Sequence, residues 1–167
     1  NYSDDKVAEA YTRNLAKEKG TILHDFAAQC IMLGQKLPKS KKTLNMYVND
    51  AIGFRMTPEQ VLFYSPNWFG TADAICFRPE DGYPKGFLRI HDLKTGITPA
   101  HIEQLEIYAA LFCLEYKQDP NEIGMELRLY QNNNVMYHEP DPHDIWDIMK
   151  HGINADKIIT KIRKEEG

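Results

Sequence analysis

The order in which periodicities follow one another constrains this chain most. Between residues 59 and 93 it passes through three runs rich in aromatic and β-branched residues: EQVLFYS (59–65), WFGTADAICF (68–77) and GFLRIHDL (86–93). Such runs read as strands, and RPEDGYPKG between the second and third reads as a turn. Helical composition precedes them. It covers about 5–18, is interrupted at Gly20, resumes in TILHDFAAQCIMLG (21–34) and stops at Gly34. A lysine loop and a further helix, TLNMYVNDAIGF (43–54), follow. After the strands, Thr98-Pro99 has the capping hydroxyl and first-position proline of a helix start. Ile102, Leu105, Tyr108, Ala109 and Phe112 then recur at three- and four-residue intervals through about 117. IGMELRLYQ (123–131) and VMYHE (135–139) are two more strands around an asparagine turn, and an amphipathic helix covers about 142–164. This order predicts an α/β domain with a mixed central β-sheet flanked by helices. No repeat or linker divides it, so residues 1–167 read as one domain, with a core at about 20–139 and a C-terminal helix.

At 167 residues the chain can bury one sizeable core but not two comfortable ones. No apolar run nears the roughly 20 residues that span a bilayer, and no signal-peptide pattern opens the sequence. It begins at Asn1 rather than Met, as a trimmed chain or a fragment would. Cys30, Cys76 and Cys113 lie far apart without a CxxC pair, which reads as reduced thiols in a cytoplasmic protein, or in a host cytoplasm if the chain is phage-encoded. The net charge of −4 does not advertise nucleic-acid binding, but local patches decide where a phosphate backbone can lie. Lys36, Lys39, Lys41 and Lys42 crowd KLPKSKK, and Lys157, Lys161, Arg163 and Lys164 crowd the C-terminal helix. Judged alone, the first cluster reads more readily as a solvated loop and the second as a solvated helix face than as phosphate-binding sites.

Side chains alternate along a strand, so Asp92 and Lys94 project to one side. Asp73 stands about as far before the turn as Asp92 stands after it, which makes the two carboxylates cross-strand neighbours. Adjacent buried carboxylates repel, and a divalent cation relieves that cost. Oxygen donors favour Mg²⁺ or Mn²⁺. Such an ion polarises a phosphoryl oxygen and acidifies a bound water, and a neighbouring lysine stabilises charge building on phosphorus. Gly70 offers room for a backbone or a substrate to approach the strand. The plain alternative is a strand-end acid and an exposed ion pair.

The string GTADAIC, IHDLKTG, QLEIYAALF resembles the PD-(D/E)XK nuclease superfamily, in its RecB-type and phage exonuclease branch. There a Gly-x-x-Asp strand, an Asp/Glu-x-Lys strand and a Gln-x-x-x-Tyr helix occur in this order. GTILH (20–24) is similar to the branch's Gly-x-x-x-His helix, and the resemblance spans about residues 20–116. It implies a restriction-endonuclease-like core (αβββαβ) and a metal held by His24, Asp73, Asp92 and the carbonyl of Leu93. It further implies Lys94 as the catalytic lysine, with Gln104 and Tyr108 on one helix face turned to the site or the DNA. Ala72 stands where the superfamily's name has Pro, a substitution the branch tolerates. Three scattered cysteines cannot supply the four thiolates of an iron–sulfur cluster, and no G-x-x-x-x-G-K-[ST] suggests ATP.

The expected activity is therefore a Mg²⁺- or Mn²⁺-dependent deoxyribonuclease, an exonuclease of recombination or DNA end processing. Lys36, Lys39, Lys41 and Lys42, directly after the His24 helix, are placed to hold phosphates. DNA is the expected partner, delivered by a single-strand annealing or other recombination protein, with no membrane involved. The alternative is a non-catalytic DNA-binding or regulatory module, although a degenerate copy would have lost one of Asp73, Asp92 or Lys94. Ser3–Lys6 with KTG at 94–96 has the spacing of penicillin-binding enzymes, but the chain is too short for that fold and Ser3 falls in a frayed terminus. HEPDPH (138–143) reads as a capping loop before the last helix, not a metal site. His91 is expected to face away from Asp92, and His101 to lie in the first turn of its helix.

Overall fold

The computed structural model describes residues 4–167, so Ser3 lies outside the described residues. Four helices, α1 (Asp4–Leu33), α2 (Thr43–Gly53), α3 (Glu103–Glu115) and α4 (Pro142–Glu166), flank five strands. These are β1 (Thr57–Ser65), β2 (Trp68–Glu80), β3 (Tyr83–Leu93), β4 (Gly124–Gln131) and β5 (Asn134–His138). The sheet order is β1-β2-β3-β4-β5, antiparallel throughout except for the parallel β3–β4 pair that α3 connects. The α/β architecture with a mixed sheet is thus the one expected.

Alternation along the strands builds two cores. Ile75, Leu88, Ile90, Leu127 and Leu129 face α3 and α4, where Leu105, Ala109, Phe112, Ile145 and Met149 cover them. Ala74, Cys76, Leu93 and Tyr130 face α1 and α2, against Ala27, Ile31, Tyr47 and Val48. The β4–β5 turn places Asn132 and Asn133 at φ 52° and 58°, the left-handed pair that suits a two-residue hairpin and that asparagine tolerates. Asp141 caps α4 by accepting from the His143 amide at 2.9 Å, with Pro142 at the first turn, as the capping-loop reading of HEPDPH requires.

Two helix boundaries depart from expectation. Gly20 does not interrupt the first helix: α1 runs unbroken for 30 residues through it. A Cβ there would lie 2.7 Å from Thr95 Oγ1, so the glycine admits the turn after β3 at a helix penalty of roughly 1 kcal/mol. The third helix begins at Glu103, not at Thr98-Pro99, which leaves His101 outside it. The cause is Gln131, whose buried amide donates to Gly96 O and Thr98 O, both at 2.8 Å, and accepts from Ala100 N at 3.1 Å. Gln131 thereby ties three backbone groups of 96–100 into a non-helical loop.

Candidate active site

The β2–β3 register pairs Ala74 with His91 and so sets Asp73 opposite Asp92. Asp73 Oδ2 accepts from the Leu93 amide at 2.8 Å, and its charge raises the pKa of Asp92 across the strand pair. Lys94 Nζ lies 3.0 Å from Asp92 Oδ2, so the two side chains do share a side. No donor is aligned on that buried oxygen for a hydrogen bond, so only the ion pair compensates it. Lys94 donates instead to Gln104 Oε1 at 3.0 Å, and Gln104 donates to the Tyr108 hydroxyl at 2.9 Å. The Gln-x-x-x-Tyr face of α3 is thereby tied to the lysine.

Gly70 explains how Tyr108 gets there. A Cβ at that position would meet Tyr108 Cε1 at 2.8 Å, so the group that approaches the strand is the tyrosine ring, not the backbone or substrate expected. His91 is fully buried on the other side of β3 among Phe54 and Tyr130, facing away from Asp92.

His24 closes the site from α1. Its Nδ1 lies 2.8 Å from Gly20 O and its Nε2 lies 2.7 Å from Leu93 O and 3.5 Å from Asp73 Oδ2. Carbonyl oxygens only accept, so both ring nitrogens carry protons and the ring is an imidazolium. The Asp73 hydrogen bond raises its pKa to about 9 against the opposing effect of burial. Burial would lift Asp73, but His24 and the Leu93 amide outweigh it and hold that carboxyl below its ordinary value. Asp92 goes the other way: burial, then the charge of Asp73, push it up to about 7 despite Lys94. Near neutrality Asp92 is therefore about half protonated and Asp73 ionised, with Lys94 and His24 supplying the positive charge.

His24 Nε2, Asp73, Asp92 and Leu93 O are the groups that could hold a hard cation. Among the described residues no three His, Cys, Asp or Glu side chains form a ready cage, and the fourth member of this set is a main-chain oxygen, Leu93 O. Adjacent ligands of an octahedral Mg²⁺, each at about 2.1 Å, stand about 3.0 Å apart. The separations of His24 Nε2 from Leu93 O and from Asp73 Oδ2 bracket that value.

Two cavities flank the loop after Lys94. One, of about 290 Å³, is bounded by Leu93, Lys94, Thr95, Thr43 and Asn133. The other, of about 560 Å³, is bounded by His24, Asp25, Glu59, Thr95 and Gly96. Lys36, Lys39, Lys41 and Lys42 are all exposed; none lines either cavity, but their loop runs directly into Thr43 at the first.

Sequence reasoning missed three participants. Gln131 holds the loop between Lys94 and α3, yet its partners lie 31 to 35 residues upstream, where no local pattern points. Glu59 stands opposite Asp73 at φ 51° and borders the His24 cavity; Pro58 before it was the only available cue. Tyr47 is buried close enough to Asp73 and Asp92 that burial, then both charges, raise its phenol pKa, and it reads in sequence as an ordinary core aromatic. No family model, curated protein or solved structure matches the chain.

Proposed function

We propose that the chain is a metal-dependent deoxyribonuclease of the PD-(D/E)XK type, an exonuclease serving recombination or DNA end processing. The observation that carries the reading is the convergence of Asp73, Asp92, Lys94, His24 and Leu93 O from two strands and a distant helix, with one buried carboxylate oxygen left without a hydrogen-bond donor. The element order also supports a restriction-endonuclease-like αβββαβ core, since three antiparallel strands precede the crossover helix and the parallel strand.

His24, Asp73, Asp92 and Leu93 O would hold Mg²⁺ or Mn²⁺, a hard-cation choice set by their oxygen-rich chemistry. When bound, such an ion polarises a phosphoryl oxygen and acidifies a water. Lys94 keeps its ammonium at the carboxylates through Gln104, where it orients the attacking water or stabilises charge growing on phosphorus. Tyr108 fixes Gln104 in turn. Lys36, Lys39, Lys41 and Lys42 hold the DNA backbone beyond the cavity bordered by Thr43. The acidic balance of −4 leaves modest non-specific DNA affinity, which suits delivery by an annealing or other recombination protein in the cytoplasm. No helix among the described residues is long and apolar enough to cross a membrane.

The test incubates the protein, and an Asp92→Ala/Lys94→Ala double variant, with end-labelled linear and closed circular DNA under Mg²⁺, Mn²⁺ or EDTA. Metal-dependent loss of linear DNA alone, absent in the variant, is the expected result. Cleavage of circles would replace exonuclease by endonuclease. DNA binding without cleavage under either metal would favour a non-catalytic binding module.

A further inference from the structure

α1 has two apolar faces, and the domain uses one. Gly20, His24, Ala27 and Ile31 turn inward, while from residue 4 to residue 19 every residue but Ala10 is exposed. At about 100° per residue, Val7, Tyr11, Leu15, Ile22, Phe26 and Leu33 fall within one stripe about 100° wide, roughly opposite the inward face. All six are between 46% and 80% exposed. Tyr11, Ile22 and Leu33 recur every eleven residues, as do Leu15 and Phe26, which is the spacing of nearly straight paired helices. Among the described residues the N-terminal half of α1 leaves almost its whole surface uncovered, and such a half is marginal by itself, because a short helix in water gains too little to offset nucleation.

We propose that this stripe is the interface of a homodimer, in which α1 pairs antiparallel with α1 of a second copy about a two-fold axis between Glu18 and Lys19. Self-complementarity selects the occupant. In this register Leu15 faces Ile22 of the second copy and Tyr11 faces its Phe26, each contact occurring twice as an isologous interface requires. Glu18 within the stripe faces Lys19 at its edge in the second copy, so these two charges neutralise each other across the axis. Each of the six side chains leaves on the order of 100 Å² uncovered. The pair together gives roughly 1,200 Å², within the range of specific interfaces. A membrane surface fits less well, since anionic lipid would repel Glu18 in the middle of the apolar face.

Sedimentation equilibrium at tens of micromolar tests this on the intact chain. The wild type should sediment at twice its 19.3 kDa mass, and Leu15→Glu and Ile22→Glu should each sediment as monomers. These positions are exposed, so circular dichroism and a cooperative melt should show both variants folded. Glu18→Lys alone and Lys19→Glu alone set like charges together twice per dimer and should weaken it about tenfold, whereas the double reversal should restore it. A wild-type monomer, or a dimer indifferent to Leu15→Glu, overturns the interface. A double reversal as weak as the single ones overturns the register. A monomer that binds anionic vesicles through α1 would replace the second copy by a lipid surface.

Discussion

Replacing Asp92 by asparagine should make the metal-free protein more stable, an unusual outcome for a residue central to a proposed active site. Asp92 is 3% exposed, and its carboxyl pKa rises from an ordinary 3.8 to about 7, first through burial and then through Asp73. A pKa raised in the fold means that the neutral form is favoured there. Its stabilisation is fully present below about pH 4 and is lost as pH rises through 7. At about pH 8 the ionised carboxylate costs on the order of 4 kcal/mol relative to the unfolded chain. The side-chain amide introduced by Asp92→Asn carries no charge at any pH and can still donate to Asp73, so the variant should recover about 2–4 kcal/mol. For a domain of this size that is a rise in Tm on the order of 5–15 °C. Thermal unfolding in EDTA at about pH 4 and about pH 8 measures it, and the gap should open only at the higher pH. Adding millimolar Mn²⁺ at about pH 8 should raise the wild type far more than the variant. Equal stability at both pH values, or an equal response of the two proteins to Mn²⁺, would refute the reasoning.

Three other outcomes follow from the same geometry. Gly70→Ala should displace the Tyr108 ring at a cost of about 1–3 kcal/mol and loosen Gln104 and Lys94, so cleavage should fall more than Mn²⁺ affinity measured by calorimetry. Gln131→Leu abandons three hydrogen bonds to the 96–100 backbone and should cost about 1–3 kcal/mol, with faster amide exchange concentrated in that loop. His24, raised to about 9, contributes stability fully present below about pH 6.5 and lost as pH rises through 9. A cation bound by this set must displace the His24 Nε2 proton and the part of a proton on Asp92, so Mn²⁺ titrations should release between about one and two protons at neutral pH and tighten as pH rises, with both effects fading above 9. Calorimetry in buffers of different ionisation enthalpy reads those protons.

What the sequence revealed of the site were the relations fixed by periodicity. Asp73 and Asp92 could be paired because a hairpin conserves the count outward from its turn. Lys94 could be set beside Asp92 because strands alternate, and Gln104 beside Tyr108 because helices repeat every four residues. The misreadings came where a side chain made a contact across the fold. Gly20 reads as a helix breaker in isolation; its meaning depends on Thr95, which arrives from another element. Thr98-Pro99 has every local mark of a helix start, but the Gln131 amide ties the 96–100 backbone into a non-helical loop. Gly70 announced a close approach without saying what approaches. Glycines and buried amides act on distant partners, so propensity places them without saying what they touch.

The contact between His24 and Leu93 spans 69 residues, whereas the two carboxylates sit on strands joined by a short turn. During synthesis the histidine leaves the ribosome first, and only its Gly20 contact within α1 can form until the end of β3 has followed it. A hairpin closes within microseconds, but the long loop must collapse before α1 can dock. Pairing the acids is thus a local closure, and seating of the α1 histidine is the long-range one that completes the site.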